Sequence, residues 1–399
     1  MVRNLLLLFL SAVLLVTVTG CWNRRELNTL AIAVGLGIDR AGDNYKVSVQ
    51  VVNPGEAASR KGESIRSPVV LYRATGSSII EAMRKMTKES PRNIYSSHVR
   101  VVVIGESLAR EGIGDVFDFM SRDHEFRTDF YIVVARDDEA ANLLSIMTSL
   151  EKIPSIELFD SLETSEKTWA PTVKVTLDKL ISSLTTEGKH AVLTGVKATG
   201  DIEAGKTEKN ITSLVQKSRL KSAGVAVFNG DKLIGWLDDT ESKAYNYITD
   251  NVTNTIGYAK CPEGGRFSVE VIRSETIVKG KLVGGAPAID VNIRTEGNLG
   301  EVACRIDLTK ANTIETLETI GEKTIKEFIE ATIKRVQKQY KVDIFGFGEV
   351  FHRAEPKAWK KIREKWDAQF ADLPVNVNVD FKIRRLGTIN NSFLEELKN

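Results

Sequence analysis

The sequence predicts a multi-domain, mixed α/β and α+β fold: an α/β N-terminal part followed by a C-terminal antiparallel sheet with a long helix. Three observations predict it. Strand-like and helix-like runs alternate over 69–150, the order that builds a compact α/β unit. The turn Asn229-Gly230-Asp231 separates two short apolar runs, a strong hairpin signal. Apolar residues recur at helical spacing over 310–340.

In chain order, Arg3 gives a positive start and Leu5 to Val18 an apolar run of about 14 residues, followed by Gly20 and Cys21. A spanning helix needs about 20 apolar residues, so this is the pattern of an export signal with a small residue at the cleavage point. The expected cut lies after Gly20, which makes 1–20 a signal peptide. Val18-Thr19-Gly20-Cys21 resembles the lipobox of bacterial lipoproteins, which implies that Cys21 carries lipid. No second stretch approaches membrane-spanning length.

The apolar run 30–39, the turn 41–44 and the alternating run 45–52 read as a β-hairpin. Segment 53–67 is rich in Gly, Ser, Lys and Arg and reads as a loop. Then come a strand at 69–73, a helix at 77–89, a strand at 99–104, helices over 106–122, a strand at 130–135 and a helix at 137–150. A helical stretch lies between Pro154 and Pro171, with a further helix at 172–184 and a strand at 191–198. The polar, aperiodic run 200–210 is the best domain boundary. Beyond it, strands are expected at 222–228, 232–237, 266–279, 288–306 and 375–383. The helix 310–340 carries Ile314, Leu317, Ile325, Phe328, Ile329, Ile333 and Val336 on one face.

Composition excludes some functions. The chain has 55 basic and 53 acidic residues, interspersed, for a net charge of +2. That balance argues against nucleic acid as a partner. Of the three cysteines, Cys261 and Cys304 could pair in an oxidising compartment; sequence cannot bring them together, and both are left as free thiols.

No constellation carries chemistry. Gly35-Leu36-Gly37 lacks the third glycine of a dinucleotide fingerprint, with Arg40 in its place. Gly105-Glu106-Ser107-Leu108-Ala109 superficially resembles a hydrolase elbow, but Ser107 is equally placed to cap a helix. The four histidines, His98, His124, His190 and His352, lie at no metal spacing. Catalytic, cofactor-binding and metal-binding residues are therefore expected to be none. The aromatic segment Asp343-Ile344-Phe345-Gly346-Phe347-Gly348, with Pro356, Trp359 and Trp366, reads as a packed connection in preference to a partner-binding patch.

Several of these segments together resemble the Ger(x)C family, the lipoprotein C subunit of spore germinant receptors. They are Cys21-Trp22-Asn23-Arg24-Arg25-Glu26-Leu27, Gly35 to Asp39, Ser97-His98 to Gly105-Glu106 with Ala109 and Gly112-Ile113, the hairpin from Gly224 to Leu237, and Asp343 to Gly348 with Pro356 and Trp359. Each motif alone is weak; their order along the chain is specific. The resemblance implies a three-domain α/β protein without enzymatic activity. It would be held by a diacylglycerol on Cys21 at the outer face of the cell membrane or inner spore membrane, and would assemble with receptor A and B membrane subunits.

On that organisation the chain divides into a first domain begun by 21–67, a second at 68–150, a return to the first at 151–200, a linker at 201–215 and a third domain at 216–399. Members commonly carry aspartate where Asn23 stands and an arginine-glycine pair near Lys243-Ala244, which leaves contacts of that helix open. The resemblance carries over no residue that binds a germinant. The rival reading is a solute-binding lipoprotein of an importer, which would favour two similar lobes around a cleft.

Overall fold

The computed structural model describes residues 2–6, 9, 26–58, 66–262, 264–304 and 306–386. Gly20, Cys21 and Asn23 lie outside the described residues. The strands form two sheets, one of nine strands and one of four.

In the larger sheet β1 (Leu30–Ala41) pairs antiparallel with β2 (Asn44–Val52), and β2 with β3 (Val69–Gly76). The short β4 (Asn93–Tyr95) lies parallel to the start of β1. On its other side β1 runs parallel to β5 (Val101–Gly105), followed by β6 (Tyr131–Ala135) and β7 (Val192–Gly200). Then β8 (Ser218–Asn229) and β9 (Lys232–Leu237) close the sheet antiparallel. Val-Val-Val-Ile-Gly of β5 is buried throughout, as expected of a parallel strand covered on both faces. Its side chains alternate: Val102 and Ile104 join a core with Leu36, Phe117 and Phe228, while Val101 and Val103 join Leu144, Leu158 and Leu162 on the opposite face.

The sheet runs across the expected boundary. The hairpin β8–β9, read from sequence as the opening of the third domain, pairs with β7 from Val192↔Val227 to Gly200↔Ser218. Residues 201–217 form two helical turns, Ile202–Gly205 and Lys209–Thr212. Buried Asn210 pins them, donating to the carbonyls of Met147 and Ser218 and accepting from the amides of Lys217 and Ser218. The helix expected over 137–150 is also shorter, Ala140–Leu143. Gln50 draws the chain out of helical register by donating to the Leu144 carbonyl and accepting from the Ser155 amide.

The four-stranded sheet has the order β10 (Thr255–Lys260), β11 (Arg266–Val283), β12 (Ala286–Val302) and β13 (Val375–Arg385). The first three are antiparallel; β13 is parallel to β12, so the sheet expected to be antiparallel is mixed at one edge. A crossover causes this: a helix, Ala311–Arg335, leads from the end of β12 back to the start of β13. At 1.5 Å per residue that helix is about 38 Å long. It lies across the sheet, with Leu317, Ile329 and Ile333 buried and Gly321 backed against the Phe381 ring.

The reading of Cys261 and Cys304 as free thiols is corrected. The two are joined in a disulfide, with Cα atoms 6.2 Å apart and a separation of 43 positions in sequence. Cys261 follows β10 and Cys304 follows β12, ends that the sheet itself brings together. Both sulfurs sit in the core of Phe267, Leu317 and Phe381.

Candidate functional site

Ser107 is not the cap of its helix. Its helix, Glu106–Glu111, is capped by Gly105 without a side-chain bond, so Ser107 stands inside the first turn and is exposed. Among the described residues no hydrogen bond links Ser107 to any histidine, and His98, His124 and His352 are exposed. Among the described residues no group of three His, Cys, Asp or Glu side chains is placed to hold a metal.

The glycines and acids that stand out in the sequence sit at joints. A Cβ on Gly35 would fall 1.9 Å from Ser155 Oγ, and one on Gly37 2.9 Å from Leu144 Cδ1. These glycines let segment 140–155 lie directly on β1. Buried Asp39 accepts from the amides of Ala140 (2.7 Å) and Ala141 (3.0 Å) at the start of their helix. Burial raises its pKa against those two bonds.

The β8–β9 turn makes a second joint. The Asp231 carboxylate accepts from the Gly114 amide at 3.1 Å, and the Asp231 carbonyl accepts from the Ile113 amide at 3.0 Å. Gly112 adopts φ +144° in the same place, where a side chain would meet Asp231. On β9, Trp236 is covered by the Arg136 guanidinium at 4.8 Å, and its Nε1 donates to Glu106 at 3.4 Å. Gly195 leaves room for the same indole.

The third joint is the aromatic segment. Asp343 is fully buried, and its carboxylate accepts from four groups: the amides of Phe345 (3.1 Å), Gly346 (2.9 Å) and Gly348 (2.7 Å), and Trp366 Nε1 (2.9 Å). Desolvation outweighs those donors and pushes its pKa up to about 6. The Asp343 carbonyl accepts from the His190 amide at 2.7 Å, tying this segment to the chain entering β7. Gly188, at φ +77°, packs on the Trp359 ring and on Gly348, so close that neither glycine could carry a Cβ. Burial lowers the pKa of His190, with Asp367 3.6 Å away opposing. Phe345, Phe347, Phe351, Trp359 and Trp366 are all buried, so this segment presents no exposed aromatic patch. Sequence had not singled out Gly188; its only signal was the turn Glu187-Gly188-Lys189.

At the position that departs from the family pattern, Ala244 is buried and Lys243 lies over the Trp169 ring at 3.4 Å, donating to the Ile256 carbonyl at 3.3 Å. Burial lowers its pKa to about 8, with Asp239 opposing. Taken together, these residues fix elements against one another.

A family model described as "Spore germination protein N-terminal domain" matches residues 23–198, and one described as "Spore germination B3/ GerAC like, C-terminal" matches residues 223–387. Spore germination protein KC of Bacillus subtilis (strain 168) is 32% identical over 409 residues, covering 100% of both chains. Spore germination protein B3 of the same organism is 24% identical over 380 residues, covering 94% of this chain and 96% of that one. The crystal structure of the GerBC protein aligns with a TM-score of 0.56 at 21% identity, over 90% of this chain and 99% of that one, a likeness of fold.

Proposed function

Because the chain belongs to the GerAC-like spore germination family, we propose that it is the lipid-anchored C subunit of a nutrient germinant receptor, working by assembly with A and B membrane subunits and not by catalysis. The observation that carries this reading is the end-to-end similarity to spore germination protein KC. The Cys21 sulfur would take a diacylglycerol and the leader would be cut after Gly20, leaving the folded part on the outer face of the inner spore membrane. One acyl chain holds a protein marginally and two hold it firmly. Confinement to the membrane plane then raises the effective concentration for membrane-bound partners. Two unlike sheets support this reading over the importer protein, which would favour a pair of similar lobes.

The test is co-purification. Tagged chain isolated from spore membranes should bring both membrane subunits with it, and a chain that travels alone would defeat the assembly role. Intact-mass measurement of native material should find Cys21 acylated and the leader gone. A bare thiol with the leader attached would defeat the anchor.

A further inference from the structure

One patch outside these joints combines exposed apolar side chains with positive charge. Leu150 is 90% exposed, Leu214 100% and Val215 68%. Single exposed leucines are ordinary. These three lie on two loops bonded to each other: Gln216 Nε2 donates to Ser149 Oγ at 2.7 Å, and the Met147 amide to the Gly205 carbonyl at 2.9 Å. Ile211, on the same loop, is also exposed. Residues 201–221 carry five cations and three acids, Lys206 being paired with Glu203, and Lys209 and Lys217 are exposed. The neighbouring loop adds Lys152 and Glu151.

Loop 147–152 lies toward the end of the sheet from which β1 starts; loop 211–217 joins the end of β7 to the start of β8 and is tied to that first loop through Met147 and Ser149. Antiparallel pairing sets the end of β2 beside the start of β1 (Ala33↔Val51), and Lys152 reaches the Ala57 carbonyl, just beyond β2, at 3.4 Å. Ser155 packs at Gly35, five residues along β1 from Leu30 and so about 17 Å away. Cys21 precedes Leu30 by nine residues, a reach of at most about 30 Å. A tether at Cys21 therefore holds this end of the molecule, and not an arbitrary one, near its anchor.

We propose that the paired loops 147–152 and 211–217 form a second membrane contact, with Leu150, Leu214 and Val215 entering the interface of an anionic bilayer and the surrounding lysines meeting its headgroups. The proposal rests on the anchored reading for its orientation. Apolar side chains supply insertion, and basic groups supply attraction to anionic lipid within about a Debye length.

The test uses mature acylated protein on vesicles of equimolar phosphatidylglycerol and phosphatidylcholine, spin-labelled at Leu214→Cys, with Tyr258→Cys as control. Tyr258 is 73% exposed on the smaller sheet, and the native Cys261–Cys304 pair is bridged, so each label has one target. The label at 214 should gain accessibility to oxygen and lose it to an aqueous nickel chelate, while that at 258 stays aqueous. A label at 214 as aqueous as the control overturns the proposal, including the case in which it becomes shielded only when membrane subunits co-purify.

A second arm uses the mature chain with Cys21→Ser, which cannot be acylated. It should sediment with these vesicles, less so with pure phosphatidylcholine, and Leu150→Asp/Leu214→Asp/Val215→Asp should weaken binding about tenfold. If native protein lacks the acyl group yet the unacylated chain binds in this way, the anchor falls and the contact stands. If the acyl group is present and the 214 label is aqueous, the contact falls and the anchor stands.

Discussion

Removing the Cys261–Cys304 bridge should loosen the smaller sheet and leave the larger one alone. The bond closes a loop of 43 residues, and a crosslink of that length restricts the unfolded chain by about 4 kcal/mol. The native state gives little of this back, because β10–β11 and β11–β12 pairing already brings the two cysteines together. The double substitution Cys261→Ala/Cys304→Ala also trims two buried sulfurs from the Phe267–Leu317–Phe381 core, which adds to the loss. Hydrogen exchange resolves the effect by region. Protection of β10–β13 amides should fall by roughly a thousandfold, the equivalent of about 4 kcal/mol, while β5 and β6 amides keep theirs. A fall of less than about tenfold, or two titratable thiols in unreduced native protein, would refute the reasoning.

Two further outcomes follow from the joints and a third concerns Ser107. Gly35→Ala would set a Cβ 1.9 Å from Ser155 Oγ and should cost about 1–3 kcal/mol by overpacking, read as a lowered urea midpoint; an unchanged midpoint would mean that segment 140–155 is not seated on β1. Asp343 has its folded pKa raised to about 6 from an ordinary value of about 3.9. Its contribution to stability is thus fully present below about pH 4 and is lost as pH rises through 6, a change of up to about 3 kcal/mol. Asp343→Asn should flatten the unfolding free energy between pH 4 and 7, and a pH slope identical in both proteins would contradict the buried carboxyl. Ser107→Ala should leave germination and protein level unchanged; lost germination at normal level would restore a catalytic reading.

What was legible in the sequence was what local chemistry decides. Asn229-Gly230-Asp231 specifies its hairpin because Gly230 supplies φ +56° within the turn itself. The helix Ala311–Arg335 is visible because its buried face repeats with helical period. Direction and partnership were not visible. Alternation in Val375–Arg385 marks a strand but is the same for parallel and antiparallel pairing, so the parallel edge at β12 had no signal. The disulfide depends on two hairpins aligning their ends. The joints were half visible: Asp39 and Asp343 stood in conspicuous motifs, but the residues they meet, Ala140 and His190, lie 101 and 153 positions away in sequence.

The β8–β9 hairpin shows why the chain divides easily in sequence and less easily in space. The two matched family regions end at 198 and resume at 223, so the hairpin belongs with the second by sequence, while its hydrogen bonds place it in the larger sheet. Its two faces explain both. Asp231 and Trp236 dock on Gly114, Arg136 and Glu106 of the first part. Gly235 lets the Tyr340 ring lie against it, and the Tyr340 hydroxyl donates to the Trp236 carbonyl at 2.8 Å and accepts from the Trp236 amide at 3.2 Å. Tyr340 ends the π-helical turn Val336–Tyr340 that follows the long helix crossing the smaller sheet. The hairpin is therefore bonded on one side to the larger sheet's own helices and on the other to Tyr340, so β9 is a direct hydrogen-bonded link between the two halves of the chain.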